Sequence, residues 1–386
     1  MIRRAKRVVI VAVVAAVLLA AGAAAAVVLL AGSGPGPAVP PAGPPGPATI
    51  ELLPSAGSGS SCIVDQLGEP RPTLNLANAT LQANTYDVPT GTTGHAGMCY
   101  YASNGTMYAY ANWTKVGAEG GWFSYPQVTY GVDDYDGAYT TYTPQSPSWS
   151  LPQSWSQTLN ESLWVTATYD LRAPPTSDVD GYDLSFDDFL SEGLPPTFEV
   201  PPFVEVEILL AHNVSYPPSW VPWHTTTLVN GSLVDEPWDV AYWCHGVDNG
   251  TNGNVSFDFS LGGQGTHGID AGTVGVNLSA LFAEVSALLS GASCWTGPTA
   301  GLGAFYLDEE DLGSEDGAVG GAAFDYNWTV SAYCLHTRVA DPTPAGVACP
   351  GAAPARAVDR PPAAGAVPSL AVTPPPGVRP RDGRPS

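Results

Sequence analysis

Two glutamates, Glu205 and Glu207, interrupt an apolar run over residues 203–213 that otherwise has the composition of a buried β-strand. Because successive side chains of a strand point to opposite faces, the apolar residues would face a core, and both glutamates would project from the other face about 7 Å apart. Paired carboxylates can serve as general acid, general base or nucleophile. On a strand that faces water they are only a solvated surface, so a chemical role requires a third carboxylate in the same cleft.

Two further acids stand in predicted strands elsewhere in the chain. Residues 163–171 alternate, which places Asp170 on one face, and Glu315 ends the strand predicted over residues 303–316. Cleavage of a glycosidic bond needs two carboxyl groups that flank the bond, ~5–5.5 Å apart in the retaining version. One is the nucleophile, and the other, with a raised pKa, donates a proton. Glu205 and Glu315 could provide that pair.

The elements that would position these acids are predicted to be strands. From Cys62 onward, short segments rich in aromatic and β-branched residues are separated by Gly, Pro, Asn and Asp. Residues 98–113 indicate a hairpin that turns near Asn104, and convincing helical periodicity covers Leu278–Leu289, with Asn277 as its N-cap. This pattern predicts an all-β sandwich.

An acidic stretch over residues 174–202 is bounded by prolines and is predicted to be a long loop. Its DVDGYD segment has some likeness to a calcium loop, but Gly181 stands fourth, whereas an EF-hand needs glycine at the sixth position. A solvated acidic loop is therefore favoured over a calcium site.

The N-terminal region predicts export. Residues 1–7 form a basic segment on the cytoplasmic side, and residues 8–31 contain no polar side chain, which favours a signal anchor over a signal peptide, whose apolar region is usually ~7–15 residues. We expect the protein to be secreted or anchored to the outer face of the cell membrane. Residues 32–60 indicate a linker, residues 61–340 a monomeric domain, and residues 341–386 a Pro-rich disordered tail.

Sequons and cysteines agree with export. Ten of the 13 asparagines stand in N-x-[ST] sequons, which favours a glycoprotein. The sequons are at Asn78, Asn104, Asn112, Asn160, Asn213, Asn230, Asn249, Asn254, Asn277 and Asn327. Six cysteines permit three disulfides, whose connectivity the spacing leaves open.

The charge excludes some partners. Between Cys62 and Ala340, four basic residues oppose 32 acidic ones, and such a surface repels nucleic acid. It also repels itself at neutral pH, from which we hypothesise that the protein works in acid. The cysteines and histidines have no zinc-binding spacing, so we expect neither a metal nor another cofactor.

Four short motifs occur in order along the chain: Asn112-Trp113, Ser124-Tyr125-Pro126, EVEIL at residues 205–209 and YLDEEDLGSE at residues 306–315. They resemble the N-W and S-Y-P segments, the nucleophile strand (roughly E-x-M-I-W) and the acid/base strand (roughly Y-L-x-x-I-x-[LF]-G-[ST]-E) of glycoside hydrolase family 12, in an archaeal-like form. The resemblance covers roughly residues 62–335. It implies a jelly-roll β-sandwich of two curved antiparallel sheets with a cleft and one helix.

The resemblance also implies roles for individual residues. Glu205 would be the nucleophile, Glu315 the general acid/base, and Asp170, in the pair Tyr169-Asp170, the aspartate that contacts the nucleophile. Cys62 and Cys99 resemble the family's N-terminal disulfide, and the other four cysteines stay unassigned. The residues expected to bind a β-linked polysaccharide are Trp113, Trp122, Tyr125 and Glu207.

Two residues depart from the family pattern: Glu207 stands in place of methionine, and Leu209 in place of tryptophan. A carboxyl group beside Glu205 could raise the pKa of the nucleophile, or Glu207 could itself be the nucleophile, since close carboxylates titrate as a coupled set. The resemblance thus implies a retaining endo-β-1,4-glucanase that cleaves cellulose or related β-glucans. The alternatives are a non-catalytic glycan-binding module, a cell-surface structural glycoprotein and, among enzymes, an endoxylanase.

Overall fold

The structure is a computed structural model. It describes residues 46–65, 67, 72–86, 88–133, 140–141, 149–172, 180–193, 202–213, 221–245, 254–262, 268–292, 295, 297 and 301–351. By internal contacts the chain divides into residues 1–46 and 47–386, and everything below concerns the second unit. The predicted basic segment and apolar anchor lie outside the described residues, as does most of the predicted tail. Within the described ranges, no helix combines the length and the apolar character needed to cross a membrane.

Strands dominate the described part of the chain. They are β1 Ala48–Glu51, β2 Ser60–Asp65, β3 Thr73–Asn75, β4 Thr80–Thr85, β5 Thr93–Tyr101, β6 Thr106–Lys115, β7 Gly121–Asp133, β8 Thr140–Thr141, β9 Gln153–Ser154, β10 Trp164–Arg172, β11 Asp180–Glu192, β12 Phe203–His212, β13 Val221–Val229, β14 Ser232–His245, β15 Asn254–Leu261, β16 Ala271–Asn277, β17 Phe305–Gly313, β18 Asp316–Ala318 and β19 Phe324–Thr337. The helices are α1 Trp155–Asn160, α2 Leu278–Leu289, α3 Pro344–Val347 and a 3-10 helix at Gly301–Ala304.

The strands pair in one ladder that folds into two layers. The front layer has the order β3-β4-β7-β17-β11-β12-β15-β14, and β18 continues the line of β17 between β7 and β11. The back layer has the order β16-β10-β19-β6-β5-β2, with β1 beside the end of β19. Strand β13 joins the layers, because it pairs with β14 along its length and with β16 through residues 227–229. Strands β12 and β15 are parallel, in contrast to the antiparallel pairs around them.

The core lies between the two layers. Val204, Val206 and Ile208 of β12 are fully buried in it, as the alternation predicts. Across the layers, Phe186 of β11 stacks on Tyr333 of β19 with ring centroids 6.0 Å apart. This burial fixes the register of β12, since a slip by one residue would bring Glu205 and Glu207 into the core in place of two aliphatic side chains, each of which contributes about 1.5–3 kcal/mol.

The predicted all-β jelly-roll sandwich is confirmed, and so is its main helix, α2. The Asn277 side-chain oxygen accepts a hydrogen bond from the Ala280 backbone N–H at 3.1 Å, which caps the helix as expected. Leu281, Phe282 and Val285 of α2 are buried against the core. The predicted hairpin is also present as β5 and β6.

The prediction of a long acidic loop is wrong for much of its length, because Asp180–Glu192 is strand β11 at the centre of the front layer. Leu184, Phe186 and Leu190 alternate and are buried in the core. The apolar face decides the conformation, and the acids occupy mainly the opposite face. The described part of the DVDGYD segment is extended, since Asp180 pairs with Ala318, so it does not form a calcium loop there.

The folded domain extends beyond the predicted residues 61–340 at both ends. Strand β1 pairs with β19, and Cys349, which follows α3, is disulfide-bonded to Cys334. Strand β1 has only four residues and follows a Gly/Pro-rich segment, so its alternation is too short to be recognised in the sequence. The expected Cys62–Cys99 disulfide is confirmed and joins β2 to β5. Cys244 is also disulfide-bonded.

Candidate active site

The outer face of the front layer carries two rows of side chains that run across four strands, β15, β12, β11 and β17, in register. One row, called here the acidic row, consists of Asp258, Glu207, Asp187 and Asp311. The row beside it consists of Ser256, Glu205, Phe189 and Glu309. Since neighbouring strands lie about 4.8 Å apart, the members of each row are immediate neighbours.

All members of the two rows except Asp258 and Ser256 line a cleft with about 520 Å³ of empty space, part of it open to solvent. Seven acids line the described part of this cleft, and no lysine, arginine or histidine does. The acids are Asp183, Asp187, Glu205, Glu207, Glu309, Asp311 and Glu315. Like charges directly opposite each other on neighbouring strands repel. The fold can hold these seven acids together only if bound protons or hydrogen-bond donors offset that repulsion.

Glu205 lies on the cleft floor, half-buried, on β12. Ser256 stands beside it on β15, and its hydroxyl donates a hydrogen bond to Glu205 Oε2. The hydrogen bond holds this carboxyl group toward the cleft. A fixed carboxylate on a rigid central strand is suited to attack a bound substrate.

Glu315 lies in the turn between β17 and β18 and lines the cleft. Its backbone is held by Asp183, whose Oδ1 accepts from the Glu315 N–H at 3.2 Å and whose N–H donates to the Glu315 carbonyl at 3.0 Å. The Tyr86 hydroxyl donates to Glu315 Oε1. Burial raises the pKa of Glu315 to about 7, so this carboxyl group holds a proton at a pH where an exposed glutamate has lost it.

Asp187 and Glu207 occupy the middle of the acidic row. One carboxyl oxygen from each of Asp187, Glu205 and Glu207 lies within 4.8 Å of the other two. Asp187 is 5% exposed, and its Oδ1 has no hydrogen-bond partner in the described part of the chain. Burial and then the charges of Glu205, Asp311 and Glu207 raise the pKa of Asp187 well above its ordinary value. Burial, Asp258 and Glu205 do the same to the pKa of Glu207.

Neutral donors satisfy the two ends of the acidic row. The Tyr125 hydroxyl donates to Asp311 Oδ1 at 2.7 Å, and the Gln127 side-chain amide donates to Asp311 Oδ2 at 3.2 Å. At the other end, the Trp243 indole N–H donates to Asp258 Oδ2. Each end of the row is therefore held by hydrogen bonds from neutral side chains.

Aromatic side chains form part of the cleft lining, as expected for Tyr125. Tyr86, Tyr125 and Phe189 line the described cleft. The Tyr125 ring lies flat on Gly313, where a Cβ atom would come within 2.4 Å of it. The Trp122 ring contacts the position of Gly181 on β11. Gly181 stands two residues before Asp183 and therefore on the same face of the strand, which places Trp122 next to Asp183, at one end of the cleft.

Asp170 does not meet Glu205, contrary to its predicted role. It lies on β10 in the back layer and forms an ion pair with Arg172. The position beside Glu205 belongs to Asp187. Both aspartates follow an aromatic residue in an alternating strand, and strand pairing, which the sequence does not display, places one in the cleft and the other far from it.

Trp113 does not contact the cleft either, contrary to the prediction. It is 1% exposed and packs edge-on against Phe123 with ring centroids 5.1 Å apart. Its indole N–H donates to Asp316 Oδ1 at 2.9 Å. Trp113 therefore positions Asp316, the residue that follows Glu315, and does not itself contact a substrate in the cleft. Glu207 and Tyr125 do line the cleft as predicted.

The prediction missed several acids of the cleft, including Asp183, Asp187, Glu309 and Asp311. A signal was present for Asp183 and Asp187, because they are four residues apart, a multiple of the strand period of two, and apolar Leu184 and Phe186 alternate with them. Recognition required β11 to be treated as a strand.

Two groups in the described chain have the spacing of a metal site. In the first, Cys334, His336 and Cys349, both sulfurs are in one disulfide and are not thiolate ligands. The second is Asp187, Glu205 and Glu207. Carboxylate oxygens suit a hard divalent cation, but this triad also contains the candidate nucleophile.

The sequence matches no family model and no curated protein. Solved structures with a similar architecture include a family 12 xyloglucanase from Bacillus licheniformis in complex with ligand, with 17% identity, TM-score 0.49, and coverage of 73% of this chain and 100% of that chain. Endoglucanase cel12A from Rhodothermus marinus has 15% identity, TM-score 0.41, and coverage of 71% and 100%. The family 11 xylanase from Neocallimastix patriciarum has 14% identity, TM-score 0.43, and coverage of 72% and 100%.

These neighbours are glycoside hydrolases of families 12 and 11. At such identities and scores the likeness concerns architecture, and it lends no support to the expected archaeal-like form. The candidate site is therefore defined by its own residues: a cleft on the outer face of a β-sandwich that is lined by Glu205 and by Glu315, whose pKa burial raises.

Proposed function

We propose that the chain is a retaining endo-β-1,4-glucanase that hydrolyses cellulose or related β-glucans. One observation carries the proposal: Glu205 and Glu315 line the same cleft in unlike environments. Glu315 is held so that it keeps a proton to about pH 7, whereas Glu205 accepts a hydroxyl hydrogen bond on the cleft floor. A pair of carboxyl groups with divided roles is what glycoside hydrolysis requires.

In the first step, Glu205 attacks the anomeric carbon while Glu315 gives its proton to the leaving glycosidic oxygen. The bond to the leaving sugar breaks as the ester bond to Glu205 forms. In the second step, Glu315 takes a proton from a water molecule, whose oxygen attacks the anomeric carbon and releases Glu205. Each step inverts the anomeric centre, so the configuration is retained overall.

Other residues of the cleft support these two. Tyr86 donates to Glu315 Oε1, which holds the carboxyl group at the cleft wall. Asp187 lies beside Glu205 and, when protonated, can donate to it. Tyr86 and Phe189 offer aromatic faces on which the apolar faces of sugar rings can stack.

The decisive experiment measures reducing ends released from carboxymethylcellulose, barley β-glucan and xyloglucan at acid pH. We expect release by the wild type, and a loss of at least about a hundredfold in kcat for both Glu205→Gln and Glu315→Gln. Glu119→Gln is the matched control, because Glu119 is exposed in the turn between β6 and β7. Full activity of either cleft variant would refute the assignment. Retention of polysaccharide without release of ends would instead support a glycan-binding module.

A second experiment separates the two roles. A 2-deoxy-2-fluoro glycoside with a good leaving group should trap the glycosyl-enzyme, and peptide mapping should locate the label on Glu205. A label on Glu207 would make that residue the nucleophile. With a glycoside whose leaving group needs no proton, azide should restore activity to Glu315→Ala and give a glycosyl azide of retained configuration, because azide attacks the glycosyl-enzyme in place of the water that Glu315 would activate.

We also propose that the protein is exported, glycosylated and monomeric, either secreted or held at the outer face of the cell membrane by residues 8–31. The apolar N-terminal segment, the ten sequons and the Cys62–Cys99 and Cys334–Cys349 disulfides support this location, because disulfides persist in oxidising compartments. Fractionation of the native host, peptide mapping of the N-terminus and glycans, and light scattering test it. Recovery of the unmodified protein in the cytosol would contradict it.

A further inference from the structure

The middle of the acidic row lacks the support that its ends have. Asp311 and Asp258 each accept a hydrogen bond from a neutral side chain. By contrast, Asp187 Oδ1 is buried without a partner, and no residue in the described ranges donates a hydrogen bond to the Glu207 carboxyl group. Asp187 and Glu207, which lie opposite each other on β11 and β12, can thus offer a hydrogen bond to each other if one of them is protonated.

The charged surroundings make full ionisation of this pair costly. Strand β12 itself contributes Glu205, and β15 contributes Asp258. The neighbours on β11 and β17 are Asp183, Glu309 and Asp311, and Glu315 follows β17. The titratable groups other than carboxyls that lie nearby are Tyr125, Tyr86 and His212, the last in register with Asp183 and bonded to Ser260. No lysine or arginine lines the described cleft to offset these acids.

We propose that Glu207 and Asp187 share one proton in the resting protein, and that Glu207, when the pair takes up a second proton at lower pH, is a positioning residue that donates a hydrogen bond toward Glu205. This inference rests on the proposed function and concerns the residue at which the chain departs from the family 12 pattern. A proton between the two carboxyls removes one negative charge from the row and supplies the missing donor.

The shared proton has a consequence for the nucleophile. As the pH falls, Asp187 and Glu207 take up a second proton, and each protonated group can then donate to the Glu205 carboxylate. An anion that accepts such hydrogen bonds keeps its charge to lower pH. Glu207 therefore extends activity toward acid, whereas methionine at this position would provide no donor.

The first test counts bound protons without reference to hydrolysis. Potentiometric titration of metal-free wild type and of the double variant Asp187→Asn/Glu207→Gln between pH 4 and pH 8 should show about one more proton bound to the wild type near pH 6, because the variant has no carboxyl group at either position to hold it. Glu119→Gln should match the wild type, because it removes an exposed acid. An equal proton count near pH 6 in wild type and the double variant would overturn the proposal, whatever the hydrolytic activity.

The second test compares the acid limbs of kcat/KM for wild type, Glu207→Gln and Glu207→Met. Glutamine keeps an N–H donor, so its acid limb should overlay that of the wild type. Methionine has none, so its acid limb should move up by roughly one pH unit, the size expected for loss of one hydrogen bond to a charged group. Equal acid limbs for all three proteins would exclude the positioning role. Melting temperatures of both variants check that they fold.

A divalent cation could satisfy the same three oxygens in place of the proton. Calcium or manganese, added at pH 6 to metal-free protein, should leave the melting temperatures of wild type and Glu207→Gln unchanged. A rise confined to the wild type would show that the triad binds a cation, and would overturn the shared proton. If the wild type hydrolyses none of the glucans but holds the extra proton, the proposed function fails while the shared proton stands.

Discussion

Asp187 of β11 lies directly opposite Glu207 of β12, and a carboxyl oxygen of each lies within 4.8 Å of the other. This pairing connects Asp258 and Asp311 into a continuous row of four acids beneath the cleft. The row lies beside Glu205, so its protonation affects the residue proposed as nucleophile. The register of the central strands therefore determines which acids lie near Glu205, and through them how the protein responds to pH.

The alkaline limb of activity should follow the proton on Glu315. Burial raises the pKa of this carboxyl group to about 7, and the general acid must be protonated to work. We expect kcat/KM to be maintained below pH 7 and to fall about tenfold for each pH unit above it. A pH profile measured with a soluble β-glucan checks this. Activity that stays constant to pH 9 would contradict the assignment of Glu315 as the acid.

Asp187 and Asp170 should differ sharply in their effect on activity. Asp187→Ala removes the carboxyl group beside Glu205, and we expect kcat to fall by about tenfold to a hundredfold, because small displacements of catalytic groups are costly. Asp170→Ala breaks an ion pair with the exposed Arg172 in the back layer, and kcat/KM should change less than about twofold. Steady-state kinetics on both variants test the comparison. A larger effect from Asp170 would reverse it.

Stability should decrease as the pH rises. Burial raises the pKa of Asp183 and of Asp188 to about 7, and that of Asp316 to about 8. In the unfolded chain these groups titrate near 4, so the folded state binds more protons between pH 4 and pH 8. The stabilisation is complete below about pH 4 and is lost as the pH passes 7 to 8. Melting temperatures across this range should fall by several degrees or more.

Asp188→Asn is the matched variant for this prediction. Asp188 is fully buried opposite Glu310, whose Oε1 accepts from the Tyr333 hydroxyl at 2.9 Å. Asparagine has the shape of the neutral acid and does not titrate, so the melting temperature of the variant should depend less steeply on pH. A slope identical to that of the wild type would show that Asp188 does not contribute.

Gly313→Ala should disturb one end of the acidic row. A Cβ atom at this position would come within 2.4 Å of the Tyr125 ring, which is packed and cannot move freely. Displacement of Tyr125 would remove its hydrogen bond to Asp311. We expect a loss of about 1–3 kcal/mol in the free energy of unfolding and a lower kcat/KM. Denaturant titration and kinetics measure the two effects, and Gly303→Ala, at an exposed position of the 3-10 helix without a positive φ, calibrates the cost of adding a methyl group where nothing lies nearby.

Local patterns were sufficient for much of the fold. Alternation identified β12 and its buried face, helical periodicity identified α2, and the turn at Asn104 identified the β5–β6 hairpin. Each of these signals depends on residues close in sequence. Strand β11 was misassigned because its composition is acidic, although Leu184, Phe186 and Leu190 carry the period of a strand.

The sequence by itself determined that this protein is an all-β sandwich, that Glu205 and Glu207 share one face of a strand, and that Glu315 lies close to the end of another, although in the turn that follows it. The tertiary structure decided which acids meet. It brought Asp187, 18 residues before Glu205, to the floor of the cleft, and it held Asp170 and Trp113 away from it. The physical reason is that side-chain alternation is a property of one strand, whereas the neighbours of a carboxyl group depend on pairing between distant strands, which no local pattern records.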